Sequence, residues 1–181
     1  MNRLDEAFAH VRREDFLPEK EKDRADWDRP LPIGWGQTNS QPTTVRMMLE
    51  WLDVKKGQKI LDVGAGSGWT TALLAELIGP EGIVHAVERI PELVSFGDNN
   101  CRRAHIKNAF FHNAGEVFGL PEEAPFDRIL VSAAAGELPK ELIDQLAALG
   151  RLVIPVRSRV LVINKSAPGK ISAEEHYGFE F

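Results

Sequence analysis

The 181-residue sequence predicts an α/β fold, a doubly wound and mostly parallel sheet that ends in a C-terminal antiparallel edge hairpin. Three observations predict it. From Lys59 onward, β-rich apolar runs alternate with helical runs, the pattern of βαβ units in a parallel sheet. The strand runs are close to continuously apolar, as expected where both faces are covered. A glycine-rich turn, Gly64-Ala65-Gly66-Ser67-Gly68, stands between the first of these strands and the first of these helices. Missing Cβ atoms there let backbone N–H groups approach a ligand closely, although such turns also serve merely to reverse a chain.

Leu4, Ala7, Phe8 and Val11 recur at helical spacing, so residues 4–11 are expected to form a short amphipathic helix. Residues 18–36 carry Pro30, Pro32, Gly34 and Gly36. That composition predicts an ordered loop without regular structure, anchored by Trp27, Leu31, Ile33 and Trp35. Pro42 opens a helix whose buried stripe is Val45, Met48, Leu49 and Leu52, since a proline costs nothing in the first turn. Ser40 falls at the mouth of that helix, where serine also serves well as an N-cap. Strands are then expected at 60–63, 83–87, 109–112, 128–132, 152–156 and 160–163, and helices at 70–78, 93–103 and 141–149. The segment 171–179 is the expected partner in the edge hairpin.

A chain of this length suits one domain with one core. Residues 1–57 would supply N-terminal helices and a loop, 58–156 the α/β core and 157–181 the hairpin. The formal charge of -5 argues against the nucleic-acid backbone as main partner, and no apolar run is long enough for a signal peptide or a membrane span. The single cysteine, Cys101, forms no internal disulfide and fits a reducing cytoplasm. No heptad seam suggests self-association, and a monomer is expected. The five histidines lie at 10, 85, 105, 112 and 176 without ligand spacing, so no metal is assigned.

The site reading starts at the glycine turn. Glu88 ends the next apolar strand 20 residues after Gly68, a placement that suits a carboxylate accepting hydrogen bonds from a ribose diol, or simply a solvated strand end. A dinucleotide is the rival ligand, but Trp69 stands where a pyrophosphate-binding turn wants glycine. Asp62, two residues before the first glycine, would repel phosphate and attract a sulfonium or ammonium group. Charge therefore points to S-adenosylmethionine.

Further motifs extend this reading: Asp28-Arg29-Pro30-Leu31-Pro32-Ile33-Gly34, then Gly36-Gln37-Thr38 and Ser40-Gln41-Pro42, then Glu88-Arg89-Ile90-Pro91-Glu92-Leu93, Pro125-Phe126-Asp127-Arg128-Ile129, Ser132-Ala133-Ala134-Ala135 and Gly150-Arg151-Leu152-Val153-Ile154-Pro155. Over most of its length the chain resembles the protein-L-isoaspartate O-methyltransferase family. The resemblance implies a Rossmann-like methyltransferase fold, S-adenosyl-L-methionine as cofactor, and methylation of the free carboxylate of isoaspartyl residues in damaged proteins, a repair reaction. It matches Ser40 to the catalytic serine, and Gln37, Thr38, Asn39, Gly64, Ala65, Gly66, Ser67, Gly68, Glu88, Arg89, Ala114 and Gly115 to positions around the cofactor.

Three departures are expected to matter. Asn39 stands where the family has an apolar residue, predicting altered pocket packing or a new substrate contact. Ala114 stands where an acidic residue lies near the adenine, predicting looser cofactor binding by about 1 kcal/mol for one lost hydrogen bond. The chain stops at Phe181, predicting a shortened lid. They keep two alternatives in view, a methyltransferase of another acceptor and a cofactor-binding relative without turnover.

Overall fold

The computed structural model describes residues 2–167 and 170–179. Met1 lies outside them, as do Pro168, Gly169, Glu180 and Phe181 of the expected hairpin segment. Helix α1 (Arg3–His10) leads through two 3-10 turns into a ribbon of β1 (Leu31–Gly34) and β2 (Gln37–Asn39). After α2 (Pro42–Leu52) the chain runs β3 (Lys59–Val63), α3 (Trp69–Ile78), β4 (Ile83–Glu88), α4 (Pro91–Arg103), β5 (Ala109–Asn113) and β6 (Phe126–Val131). It continues through α5 (Lys140–Asp144), β7 (Leu146–Val156), β8 (Arg159–Ala167) and β9 (Lys170–Tyr177).

The main sheet has the order β5-β4-β3-β6-β7-β8-β9. Strands β5 to β7 are parallel, whereas β8 and β9 are antiparallel and form the expected edge hairpin. After β5 the chain returns to the other flank of β3, so the topological switch point, where such sheets bind ligands, lies above the carboxyl ends of β3 and β6.

Alternation along the strands feeds two cores. Ile60, Leu130 and Val153 join one cluster with α1, α2 and α3. Leu61, Val63, Ile129 and Ile154 join the other with Leu142 of α5. Both faces are covered, which is why these strands read as continuous apolar runs. Cys101 is buried in the first cluster, and burial pushes its thiol up to about 12; it is a packing residue.

Two expectations change. The segment 18–36 was expected to be irregular but contains β1, because Pro32 occupies an exposed position of a two-stranded ribbon that tolerates its missing N–H. Leu31 and Ile33 anchor it, at 1% and 2% exposure, while Trp27 and Trp35 lie exposed. The helix expected over 141–149 stops at Asp144, and Leu146 already pairs with Phe126 as the start of β7. A short apolar run carries no periodicity that separates helix from strand, and here pairing with β6 decides.

Candidate active site

The sheet's switch point opens into a cavity of about 930 Å³, near the upper end of the roughly 300–1,000 Å³ range of small-molecule sites. One wall comes from Gln37, Thr38 and Ser40, on or just after β2. Gly64 and Gly66 form the floor, and Glu88, Arg89, Ala114 and Gly115 the side beyond β4 and β5. These nine expected site residues meet around one space.

The turn is held by the strands around it. The amides of Gly64 and Ala65 donate to the Val87 carbonyl at 2.8 and 3.2 Å, tying β3's end to β4. Gly64 has φ +82°, and a Cβ there would lie 2.9 Å from that of Ala133. Gly68 has φ +85°, and a Cβ there would meet the Gly97 carbonyl oxygen at 2.9 Å. Both positions combine a left-handed backbone with a close neighbour, so glycine is required on two counts.

Glu88 is 6% exposed, yet it lines the cavity. Its Oε2 accepts the Gly66 N–H at 3.0 Å, and its Oε1 accepts those of Arg89 and Ile90 at 2.7 and 3.0 Å. An ionised carboxylate offers about four acceptor sites, two on each oxygen, so Oε1 is fully used and Oε2 keeps one lone pair for a further donor.

The other five expected residues stand behind this wall. Asp62, expected to face a cationic ligand, is fully buried on the α3 side of β3 and accepts the hydroxyls of Thr71 (2.7 Å) and Ser132 (2.9 Å). Desolvation pushes its carboxyl up to about 6, because hydrogen bonds from two neutral hydroxyls only partly replace water. Ala65, Ser67 and Asn39 are 6%, 2% and 5% exposed, and Gly68 caps α3. Ala114 does line the cavity, and its N–H donates to the Glu88 carbonyl.

Ser40 is not the N-cap of α2. Gln41 takes that place without a side-chain cap, and Asp28 caps the helix from the preceding loop. Its Oδ1 accepts the Thr43 N–H at 2.9 Å, and its Oδ2 accepts the Thr43 hydroxyl and the Gln41 amide. These bonds hold the Asp28 carboxyl below its ordinary value, the Thr43 N–H first among them. Ser40 is thereby released from capping and stands on the cavity wall.

Sequence reasoning missed two features. A further part of the wall is built by Ser132, Ala133, Ala134 and Ala135 after β6, together with Val117 and Phe118. Its signal was available, since that run closes a strand beside the switch point. The other is Arg13, 6% exposed. It donates to Asn39 Oδ1 and to the carbonyls of Ala25, Trp27, Arg29, Asn39 and Ser40 at 2.8–3.2 Å. Burial lowers its guanidinium to about 10. Nothing in the charged run Arg12-Arg13-Glu14-Asp15 marks one arginine as buried.

Strand order, glycine turn and acidic strand end together define a Rossmann-like methyltransferase. Two solved structures share the fold across 100% of this chain. One is a protein-L-isoaspartate O-methyltransferase with TM-score 0.90 and 26% identity, of which the chain spans 60%. The other is such an enzyme from Plasmodium falciparum in complex with S-adenosyl-L-homocysteine, with TM-score 0.86 and 27% identity, of which it spans 89%. Among sequences, the protein-L-isoaspartate O-methyltransferase of Methanopyrus kandleri is 45% identical over 185 residues, covering 99% of this chain and 82% of that protein. That of Methanothrix thermoacetophila is 47% identical over 167 residues, covering 91% and 80%. The family model for protein-L-isoaspartate(D-aspartate) O-methyltransferase matches residues 1–181, and the chain belongs to this family. Among the described residues no helix is long and apolar enough to cross a membrane.

Proposed function

We propose that this chain transfers the methyl group of S-adenosyl-L-methionine to the free carboxylate of L-isoaspartyl residues in damaged proteins or peptides. It acts as a single-domain cytoplasmic monomer that engages neither nucleic acid nor membrane. The observation that carries this reading is the meeting of Ser40 with the glycine floor and Glu88 around one cavity, beside the family membership.

The residues fit the cofactor. Glu88 Oε2 offers one remaining acceptor site for a ribose hydroxyl, and the glycine floor lets backbone approach without a Cβ in the way. Among charged residues on the wall, Glu88, Glu116 and Glu137 outnumber Arg89, a field that favours a cationic ligand. In this assignment Gln37, Thr38, Gly64, Gly66, Glu88, Arg89, Ala114 and Gly115 hold it directly, while Asn39, Asp62, Ala65, Ser67 and Gly68 shape the wall from behind.

When bound, S-adenosylmethionine supplies a methyl group on a positively charged sulfur. The chain's residues position its acceptor. An isoaspartyl carboxylate, with pKa about 4, is ionised at neutral pH, so no general base is needed. Ser40 donates a hydrogen bond from its hydroxyl to one carboxylate oxygen and so aims the other. The apolar wall of Val117, Phe118 and the alanines after Ser132 excludes water from the nucleophile.

Incubation with methyl-labelled donor should place a base-labile label on an isoaspartyl peptide and none on its normal aspartyl counterpart. Equal labelling of the two, or of neither, would refute the reading. Ser40→Ala should lower kcat by about 10- to 100-fold with little change in donor KM, as expected for lost orientation of the nucleophile.

A further inference from the structure

In an extended strand, successive side chains point to opposite faces. Along the end of β2, Thr38 and Ser40 border the cavity while Asn39 between them is 5% exposed. Gln37 borders the cavity too, so holding the Asn39 side chain restricts the segment that presents Ser40 through adjacency on one backbone rather than through strand alternation alone.

Asn39 is held at both ends. Its Oδ1 accepts Arg13 Nε at 2.8 Å, and its Nδ2 donates to Ser67 Oγ at 3.1 Å. Arginine can only donate, so the amide has a single orientation that satisfies this pair. The remaining Arg13 donors reach the Asn39 and Ser40 carbonyls and those of the loop before β1. Ser67, 2% exposed, belongs to the glycine turn, and its carbonyl accepts the fully buried Asn100 Nδ2 at 2.9 Å. A continuous buried chain thus runs from Arg13 through Asn39 to Ser67 and α4, crossing from the acceptor wall to the cofactor floor behind the cavity.

We propose that Asn39 is a positioning residue that couples the two halves of the site: filling the glycine floor steadies Ser67, and through the Asn39 amide it steadies Ser40 for the acceptor. The inference rests on the function proposed above. An apolar side chain at position 39 would fill space and keep Ser40 facing the cavity, but it would leave Ser67 and Arg13 unlinked.

Calorimetry with S-adenosylhomocysteine, alone and with saturating isoaspartyl peptide, tests this. Its sulfur carries no charge, so attraction between a sulfonium and the acceptor carboxylate contributes nothing. In the natural protein the peptide should tighten S-adenosylhomocysteine about tenfold, within the roughly 5- to 150-fold span of coupled sites. In Asn39→Val and in Ser67→Ala the factor should fall below about twofold, while affinity for S-adenosylhomocysteine alone stays within about threefold. Ser67→Ala leaves the Arg13–Asn39 bond in place and carries the test should Asn39→Val fold poorly. An undiminished factor in Ser67→Ala, or no coupling in a natural protein that binds both ligands, overturns the proposal.

Amide hydrogen exchange of the free protein gives a readout independent of the function. Residues 37–41 should exchange faster in Ser67→Ala while the amides of β3 and β6 keep their natural rates, and unchanged rates in 37–41 would break the mechanical link. Failure of the natural protein to bind S-adenosylhomocysteine would count against the proposed function, while exchange would still decide whether the tie exists.

Discussion

The two walls of the cavity are ordered by opposite means. The glycine turn sits on the central strands, and its amides join the sheet ladder through Val87, as that of Ser132 does through Val63. Order there is spread over β3, β4, β6 and α3. The wall that carries Ser40 has only the short β1–β2 ribbon, and its order converges on one buried guanidinium that makes six hydrogen bonds. Distributed order resists single substitutions unless they meet backbone, whereas concentrated order fails at one residue.

The largest expected effect tests that concentration. Arg13→Met removes every one of those donors and leaves buried carbonyls without their partner, a loss of about 3–5 kcal/mol on the scale of broken buried charged networks. For a chain of this size that lowers Tm by roughly 10 °C, with methyl transfer falling alongside. Arg13→Lys should recover only part, since an ammonium has three donors and no planar fork. A drop of under about 1 kcal/mol would place the order of the loop in its apolar anchors Leu31 and Ile33 instead.

Among the glycines of the site, the contrast predicts that those combining positive φ with a close neighbour are sensitive and that those in open space are not. Gly68→Ala combines positive φ with a 2.9 Å approach to the Gly97 carbonyl, and should cost about 2–4 kcal/mol from strain and displacement. Gly115→Ala meets nothing within 4 Å and should leave Tm within about 1 °C, as surface substitutions usually do. Thermal melts of the two variants side by side check this.

A smaller effect belongs to the cap supplied across the loop. Asp28→Ala removes acceptors from Thr43 and Gln41 and should lower Tm by less than Arg13→Met or Gly68→Ala does, as the loss of a solvent-exposed cap would. Because the folded-state carboxyl is held below 3.8, this contribution is complete above that value and disappears as pH falls through the lower folded value. The melting curves of natural protein and variant should therefore converge only in strong acid.

The same division explains what could be read from the amino acids. Ile60, Leu61 and Val63 announce a buried strand by composition, Gly64 to Gly68 announce a turn by conformational need, and Glu88 falls at a spacing set by one βαβ unit. These features are local. The β1–β2 ribbon was hidden by Pro32, the end of α5 by competition from β6, and Arg13 by neighbours of equal charge. Each of those depends on partners dozens of residues away. Asp62 lies at the expected strand end but turns toward Thr71 of α3 rather than into the cavity, because the two-residue period decides whether a side chain meets ligand or helix, and the packing of β3 between β4 and β6 sets that period.

Asp62 also allows the comparison to be sharpened by pH. Its carboxyl is 3.8 in an ordinary setting and about 6 in the fold, so between these values the folded protein keeps a proton that the unfolded chain has released. Stability from this group is greatest below pH 4, declines as pH rises to about 6 and is constant beyond. In Asp62→Asn the amide oxygen accepts one hydroxyl and the amide nitrogen donates to the other, as a protonated carboxyl can, so below pH 4 stability should change by less than about 1 kcal/mol and above pH 6 the variant should be the more stable of the two. What should vanish is the slope: natural protein loses Tm relative to the variant between pH 4 and 6, and parallel curves would mean that Thr71 and Ser132 hold the carboxylate ionised throughout. The turn spreads the cost of a buried carboxyl over several strands, whereas the acceptor wall buries its own charge, Arg13, at the point where its hydrogen bonds converge.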